Sequence, residues 1–230
     1  MDTDTSSENT VPLLTPEEIR VLGCLIEKSY TTPDYYPMTL NALLNACNQK
    51  SSRHPLVSFG EDTVERAIDG LREKGWATLV HTAGGRTRKF KHQARHEFQF
   101  TDGELGILCV LMLRGAQTVG ELRSRTERIA KFESLPEIEE AVGELASGYP
   151  REFVRELPRS PGQKDSRFAH LFCGEPEDRL QEEPVRTRKE PDRSGELGLR
   201  IDQLESEICL VREEMDALRK TVAEFRNQFE

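Results

Sequence analysis

One order of secondary structure occurs twice along this chain, and that repetition restricts the fold more than any other feature. In the first copy, apolar residues recur at three- and four-residue steps after Thr15, after Thr39 and from about Glu61, which predicts three amphipathic helices. The first helix has a complete start signal, because Thr15 can cap it and Pro16 suits its first turn. The run WATLVHTAGGRTRKFKH follows and predicts a β-hairpin that turns at its paired glycines.

The second copy repeats this order with different residues. Helices are predicted to start at Thr101, at Thr118 and at Leu135, and a hairpin is predicted from EFVREL and RFAHLF around the loop PRSPGQKDS. Three helices followed by a two-stranded wing form the winged-helix variant of the helix-turn-helix. We therefore expect a mostly helical α+β chain, with a disordered N-terminus at 1–12 and tandem winged-helix domains at 13–97 and 98–173.

A heptad repeat occupies the last part of the chain. It follows a segment at 174–196 that is rich in proline and charge, which predicts a flexible linker. The apolar positions of 197–230 alternate at four and three residues, the pattern of a coiled-coil helix. We predict that this helix dimerises through Leu197, Ile201, Leu204, Ile208, Val211, Met215, Leu218, Val222 and Phe225.

The charges beside this seam favour a parallel homodimer. In a parallel pair, Glu207 of one helix faces Arg212 of the other and Glu214 faces Arg219, whereas the overlapped antiparallel pair sets Glu207 against Glu214. The alternatives are packing of the same stripe within one chain, a trimer, or pairing with a different coiled coil.

Net charge does not decide between nucleic-acid binding and other functions. The 230 residues carry a formal net charge of −9, but residues 174–230 hold sixteen acidic and ten basic residues, so most of the excess lies there. The segment RTRKFKHQAR at 86–95, on the predicted wing, contains five Arg and Lys residues and no acid. A local basic patch of this kind suits contacts to phosphates.

We therefore expect duplex DNA to be a partner, bound by a dimeric regulator mainly through the wing of the first domain. The candidate contact residues are Lys50, Arg53, Arg66, Arg72, Arg86, Arg88, Lys89, Lys91, Arg123, Arg125 and Arg128. Both third helices are acidic, which is unfavourable beside phosphates. The alternative is a scaffold that docks another protein on its tandem winged helices.

Three long segments resemble a known family. LTPEEIRVLGCLIEKSYTTPDYYPMTLNALLNACNQKSSRHP, LMLRGAQTVGELRSRTERIAKF and LPRSPGQKDSRFAHLF are similar to the YceH family of uncharacterised bacterial proteins. The resemblance covers about 15–172 and implies a tandem winged-helix fold in the bacterial cytoplasm. It implies no activity.

No catalytic or metal-binding pattern stands out. Gly115 and Gly120 have the spacing of a phosphate-binding loop, but Glu121 stands where the lysine belongs. His92 and His96 have no third ligand nearby, and the five cysteines form no C-x-x-C pair. With no signal peptide and no long apolar run, we expect a cytoplasmic protein without enzymatic activity, cofactor, metal or membrane contact.

Overall fold

The computed structural model describes residues 12–80, 87–148, 152–159 and 163–174. Within these ranges the chain is mostly helical and has two small antiparallel sheets, so the predicted α+β class is confirmed. The α-helices are α1 (Pro16–Thr31), α2 (Leu40–Cys47), α3 (Glu61–Glu73), α4 (Ala94–Phe98), α5 (Asp102–Arg114), α6 (Val119–Thr126) and α7 (Leu135–Ser147). The strands are β1 (Met38–Thr39), β2 (Ala77–Val80), β3 (Lys89–His92), β4 (Val154–Leu157) and β5 (Arg167–His170).

Side-chain caps fix where the helices begin. The Thr15 hydroxyl accepts from the Glu18 amide, and the Glu18 carboxylate accepts from the Thr15 amide, which is a complete capping box. Thr101 and Thr118 make the same reciprocal bonds at the starts of α5 and α6. These starts agree with the sequence predictions, because a capping threonine satisfies amides that otherwise lack a partner.

Two elements in the first half were not predicted. Strand β1 pairs with β3, so the hairpin of β2 and β3 belongs to a three-stranded sheet in the order β1-β3-β2. Helix α4 follows β3 directly, and the predicted domain boundary at residues 97 and 98 falls inside it. Both elements are too short to give a periodic signal in the sequence.

The first helices of the two halves pack against each other. The Cys109 thiol on α5 donates to the carbonyl of Gly23 on α1 at 3.4 Å, and the Tyr30 hydroxyl donates to the Asp102 carboxylate at 2.6 Å. A Cβ atom on Gly23 would lie 2.9 Å from Leu113 Cδ2, so this close approach requires glycine. The two halves therefore share one hydrophobic core.

An aromatic cluster joins the bases of the two hairpins. Trp76, just before β2, stacks on Phe98 with ring centroids 4.0 Å apart and meets Phe172, just after β5, edge-on at 5.3 Å. Phe153, just before β4, contacts Phe172 and Phe100. Both hairpins are consequently anchored in the same core, and their outer faces are presented from a fixed base.

Residues Gln49–Ser52 belong to a separate unit from the rest of the described chain. Within this short segment the Gln49 side-chain amide donates to the Ser51 hydroxyl, and Lys50 is exposed. The predicted linker and coiled-coil helix lie outside the described residues. Among the helices of the described ranges, none combines the length and apolar character needed to cross a membrane.

Candidate nucleic-acid interface

Strand β3 presents two lysines on the outer face of the first sheet. Side chains alternate along a strand, and Phe90 is buried in the core, so Lys89 and Lys91 lie on the opposite face. The antiparallel register places Thr78 beside Lys91 and Thr39 beside Lys89. The outer face thus carries two lysines and two threonines, with Val80 also beside Lys89.

Arg88 lies just before β3 and connects the hairpin to α3. Its guanidinium donates to the Glu65 carboxylate at 2.5 Å, with the two side chains 53% and 39% exposed. The hydrogen bond and the charge of Glu65 raise the pKa of Arg88. We name Arg88, Lys89 and Lys91 the hairpin patch; the neighbouring candidate Arg86 lies outside the described residues.

The exposed face of α3 is predominantly acidic. Arg66 is exposed, whereas the Arg72 guanidinium pairs with the Asp69 carboxylate one turn earlier, at 2.6 Å. Carboxylates outnumber guanidinium groups on this helix: it carries Glu61, Asp62, Glu65, Asp69 and Glu73. This composition agrees with the sequence analysis and argues against deep insertion of α3 between two phosphate strands.

The prediction that Arg53 contacts DNA is wrong. Its side chain is 0% exposed and forms a two-pronged ion pair with Glu27, with nitrogen–oxygen distances of 2.6 and 3.1 Å. It also donates to the Ala46 carbonyl and to the Cys24 sulfur. In the sequence, Arg53 follows two serines and looks like part of a polar surface loop. In the structure its side chain points into the core, where one guanidinium donates hydrogen bonds to several acceptors.

Glu27 is the counter-charge for this buried arginine. Burial disfavours its charged form, but the charges of Arg53 and Lys28, the hydrogen bond from Arg53 and the charge of Arg128 outweigh that effect and lower the pKa of Glu27 to about 2. Arg128 follows α6, so the second half also contributes positive charge to this carboxylate. The Glu27 carboxylate therefore stays charged at neutral pH.

The candidate cations of the second half are engaged within the protein. The Arg123 guanidinium donates to the Glu133 carbonyl at 3.0 Å, and Arg125 pairs with Glu121 at 3.5 Å. Arg128 is exposed. Sequence reasoning missed Arg167 on β5, which approaches the other oxygen of Glu121 at 3.2 Å and donates to the Ala116 carbonyl. No motif identifies this contact, because its partners lie about fifty residues away along the chain.

The charged side chains on the exposed face of helix α7 are all negative. Its exposed residues include Glu137, Glu139, Glu140 and Glu144, and no basic residue occurs between Leu135 and Ser147. Its buried residues, Ile138, Val142 and Leu145, face the core. Like α3, this helix offers an acidic surface to any partner.

The two histidines considered as metal ligands do not share a helical turn. His92 lies on β3, where burial and the charges of Lys91 and Arg95 lower its pKa to about 4, while His96 lies on α4. The His92 Nε2 atom lies 3.2 Å from the Ser29 hydroxyl. Within the part of the chain that the structure describes, no group of three metal-ligating side chains occurs.

The fold and its surface define a mostly helical α+β protein with two small sheets, one of which carries an exposed basic hairpin. A family model described as "Protein of unknown function, DUF480" matches residues 14–163, and the chain belongs to this family. Its relatives carry the family name UPF0502. The chain is 50% identical to a UPF0502 protein of Citrifermentans bemidjiense over 191 residues, covering 83% of this chain and 86% of the relative. It is 43% identical to UPF0502 protein VPA1223 of Vibrio parahaemolyticus, and the match covers 91% of this chain and 96% of that relative.

Proposed function

We propose that this protein is a non-enzymatic DNA-binding protein of the bacterial cytoplasm, built on two winged-helix domains. One observation carries the proposal: Arg88 and Lys91 of the hairpin patch are exposed and Lys89 is half-buried, and both lysines share a sheet face with Thr39 and Thr78. The order of three helices and a hairpin in each half supports the winged-helix arrangement. The resemblance to the YceH family is consistent with the same fold.

Phosphate contacts explain how such a patch binds duplex DNA. Each lysine or arginine that neutralises a phosphate releases condensed counterions. This release supplies a large part of the binding free energy. Lys91 is exposed and already oriented outward by the strand. Arg66 on α3 is a further exposed cation, and Arg128 is an exposed cation that follows α6.

Neutralising the hairpin patch is expected to weaken binding to a duplex about 100-fold at about 100 mM salt, because three phosphate contacts are lost. The hairpin variant is Arg88→Gln, Lys89→Gln and Lys91→Gln, and the measurement is fluorescence anisotropy of a labelled duplex with the full-length chain. The control variant is Lys131→Gln, Arg159→Gln and Lys164→Gln, which removes the same charge from exposed positions of the second half. Equal weakening by both variants would argue against a specific role for the hairpin.

We also propose that the C-terminal heptads form a parallel homodimer, which would present two hairpin patches to one duplex. The full-length chain is then expected to sediment with twice the mass of one chain. Leu204→Asp with Leu218→Asp should give single-chain mass, since a buried carboxylate is incompatible with an apolar seam. Sedimentation equilibrium measures this, and an unchanged mass in the variant would contradict the dimer.

A protein-docking scaffold is the second candidate function, and the acidic exposed face of α7 favours it. A basic partner protein would complement that face. Purification from a native cell extract with and without nuclease separates the two functions. DNA binding predicts bound DNA that nuclease removes, and docking predicts a protein partner retained after nuclease treatment.

A further inference from the structure

We propose that the hairpin patch accepts duplex DNA irrespective of base sequence, by contacts to phosphates alone. This inference rests on the DNA-binding function proposed above and defines the class of DNA that the site takes. It follows from the charges on α3, the pairing of Arg88 and the composition of α7.

The exposed face of helix α3 is poorly suited to reading bases in the major groove, because carboxylates outnumber its two arginines. A helix in the major groove lies between two rows of phosphates, so its exposed face must not be strongly acidic. Of its two arginines, Arg72 is already paired with Asp69, which leaves Arg66 among carboxylates. Thr63 is half-buried near the start of the helix. With this surface, α3 stays outside the groove.

Because Arg88 is paired with Glu65, we expect it to bind a phosphate in preference to the edge of a base. An arginine reads guanine by donating two hydrogen bonds to neutral acceptors, but Arg88 already has an anionic partner. A phosphate is also an anion, so it can replace Glu65 with little loss, whereas a neutral base edge cannot compete equally. Lys89 and Lys91 are flexible point charges without the planar geometry that recognises one base.

Helices α6 and α7, as described in the second half, do not supply base contacts either. Helix α7 exposes glutamates and has no basic residue between Leu135 and Ser147. Arg123 and Arg125 on α6 are engaged with Glu133 and Glu121. Neither third helix therefore has a side-chain set suited to direct readout of the major groove.

The first test compares DNA sequences. We expect duplexes of equal length and unrelated sequence to bind the full-length chain within about 3-fold of one another, and selection from a randomised duplex library to enrich no motif, because phosphate contacts carry no sequence information. An enriched motif bound more than about 100-fold tighter than the others would overturn this inference and leave the proposed function intact. Failure to bind any duplex at about 50 mM salt would overturn both.

The second test changes Glu65. Glu65→Gln removes a negative charge from the surface and releases Arg88, so it is expected to tighten binding about 3- to 10-fold for every duplex tested. Glu144→Gln, the same change on the exposed face of α7, is the matched control and should leave affinity unchanged. Unchanged or weaker binding by Glu65→Gln, or tightening confined to one sequence, would overturn the inference.

Discussion

Glu27→Gln is expected to lower the free energy of unfolding by about 3 kcal/mol, because breaking a buried ion pair leaves one charge without compensation. Arg53 would keep its charge in the core beside the Ala46 carbonyl and the Cys24 sulfur, but without the carboxylate that balances it. Urea unfolding at neutral pH measures the change. Glu17→Gln on the same helix is the matched control and should alter stability by less than about 0.5 kcal/mol.

The same pair predicts a pH dependence with a definite sign. The pKa of Glu27 is lowered from 4.5 to about 2 in the folded state. Its stabilising contribution is therefore complete above the unfolded pKa and is lost as pH falls from about 5 towards 2. The stability difference between the natural chain and Glu27→Gln should shrink over that window. A difference that persists unchanged at about pH 2 would contradict the assigned role of the charge.

Gly23→Ala is expected to destabilise the protein by about 2 kcal/mol, because it inserts a methyl group into the contact between α1 and α5. The new Cβ would lie 2.9 Å from Leu113 Cδ2 and 3.3 Å from Met112 Cβ, closer than packed carbon atoms approach. Thermal or urea unfolding measures the effect. The strain falls on the interface that joins the two halves.

Gly143→Ala is the matched control for this prediction. Gly143 also lies inside a helix, but nothing lies within 4 Å of the position its Cβ would occupy. There the change should stabilise the protein by about 0.5–1 kcal/mol, since alanine favours helix more than glycine. Opposite signs at the two glycines support tight packing of α1 on α5, whereas stabilisation at both would show that the interface is loose.

The helix starts could be predicted from the sequence because their causes are local. Thr15, Thr101 and Thr118 each cap a helix through a residue three positions later, and this spacing is visible in the sequence. The hairpins were also predictable, because strand-favouring runs flank glycine or proline. The coarse class of the fold follows from these local signals.

Contacts between distant segments could not be predicted in the same way. Arg53 looks like a surface cation beside two serines, and only the position of Glu27, on another helix, shows that it is buried. The pairing of Arg88 with Glu65 joins a hairpin to a helix across 23 residues. Such partners are set by tertiary packing, which the residue pattern of one segment does not encode. Consequently, the basic hairpin was predictable from the sequence, whereas the burial and the ion-pair partner of each cation in the candidate site were not.

The salt dependence of duplex binding shows whether the hairpin patch neutralises DNA phosphates. Fluorescence anisotropy across a salt series should give log K falling linearly with log[salt] for the natural chain, with the steepness set by the number of phosphates neutralised. We expect the hairpin variant to reduce this slope by about 2–3 units, and the control variant at Lys131, Arg159 and Lys164 to leave it unchanged. Absence of binding at about 50 mM salt, or a slope that the hairpin variant does not alter, would contradict phosphate binding by the hairpin patch.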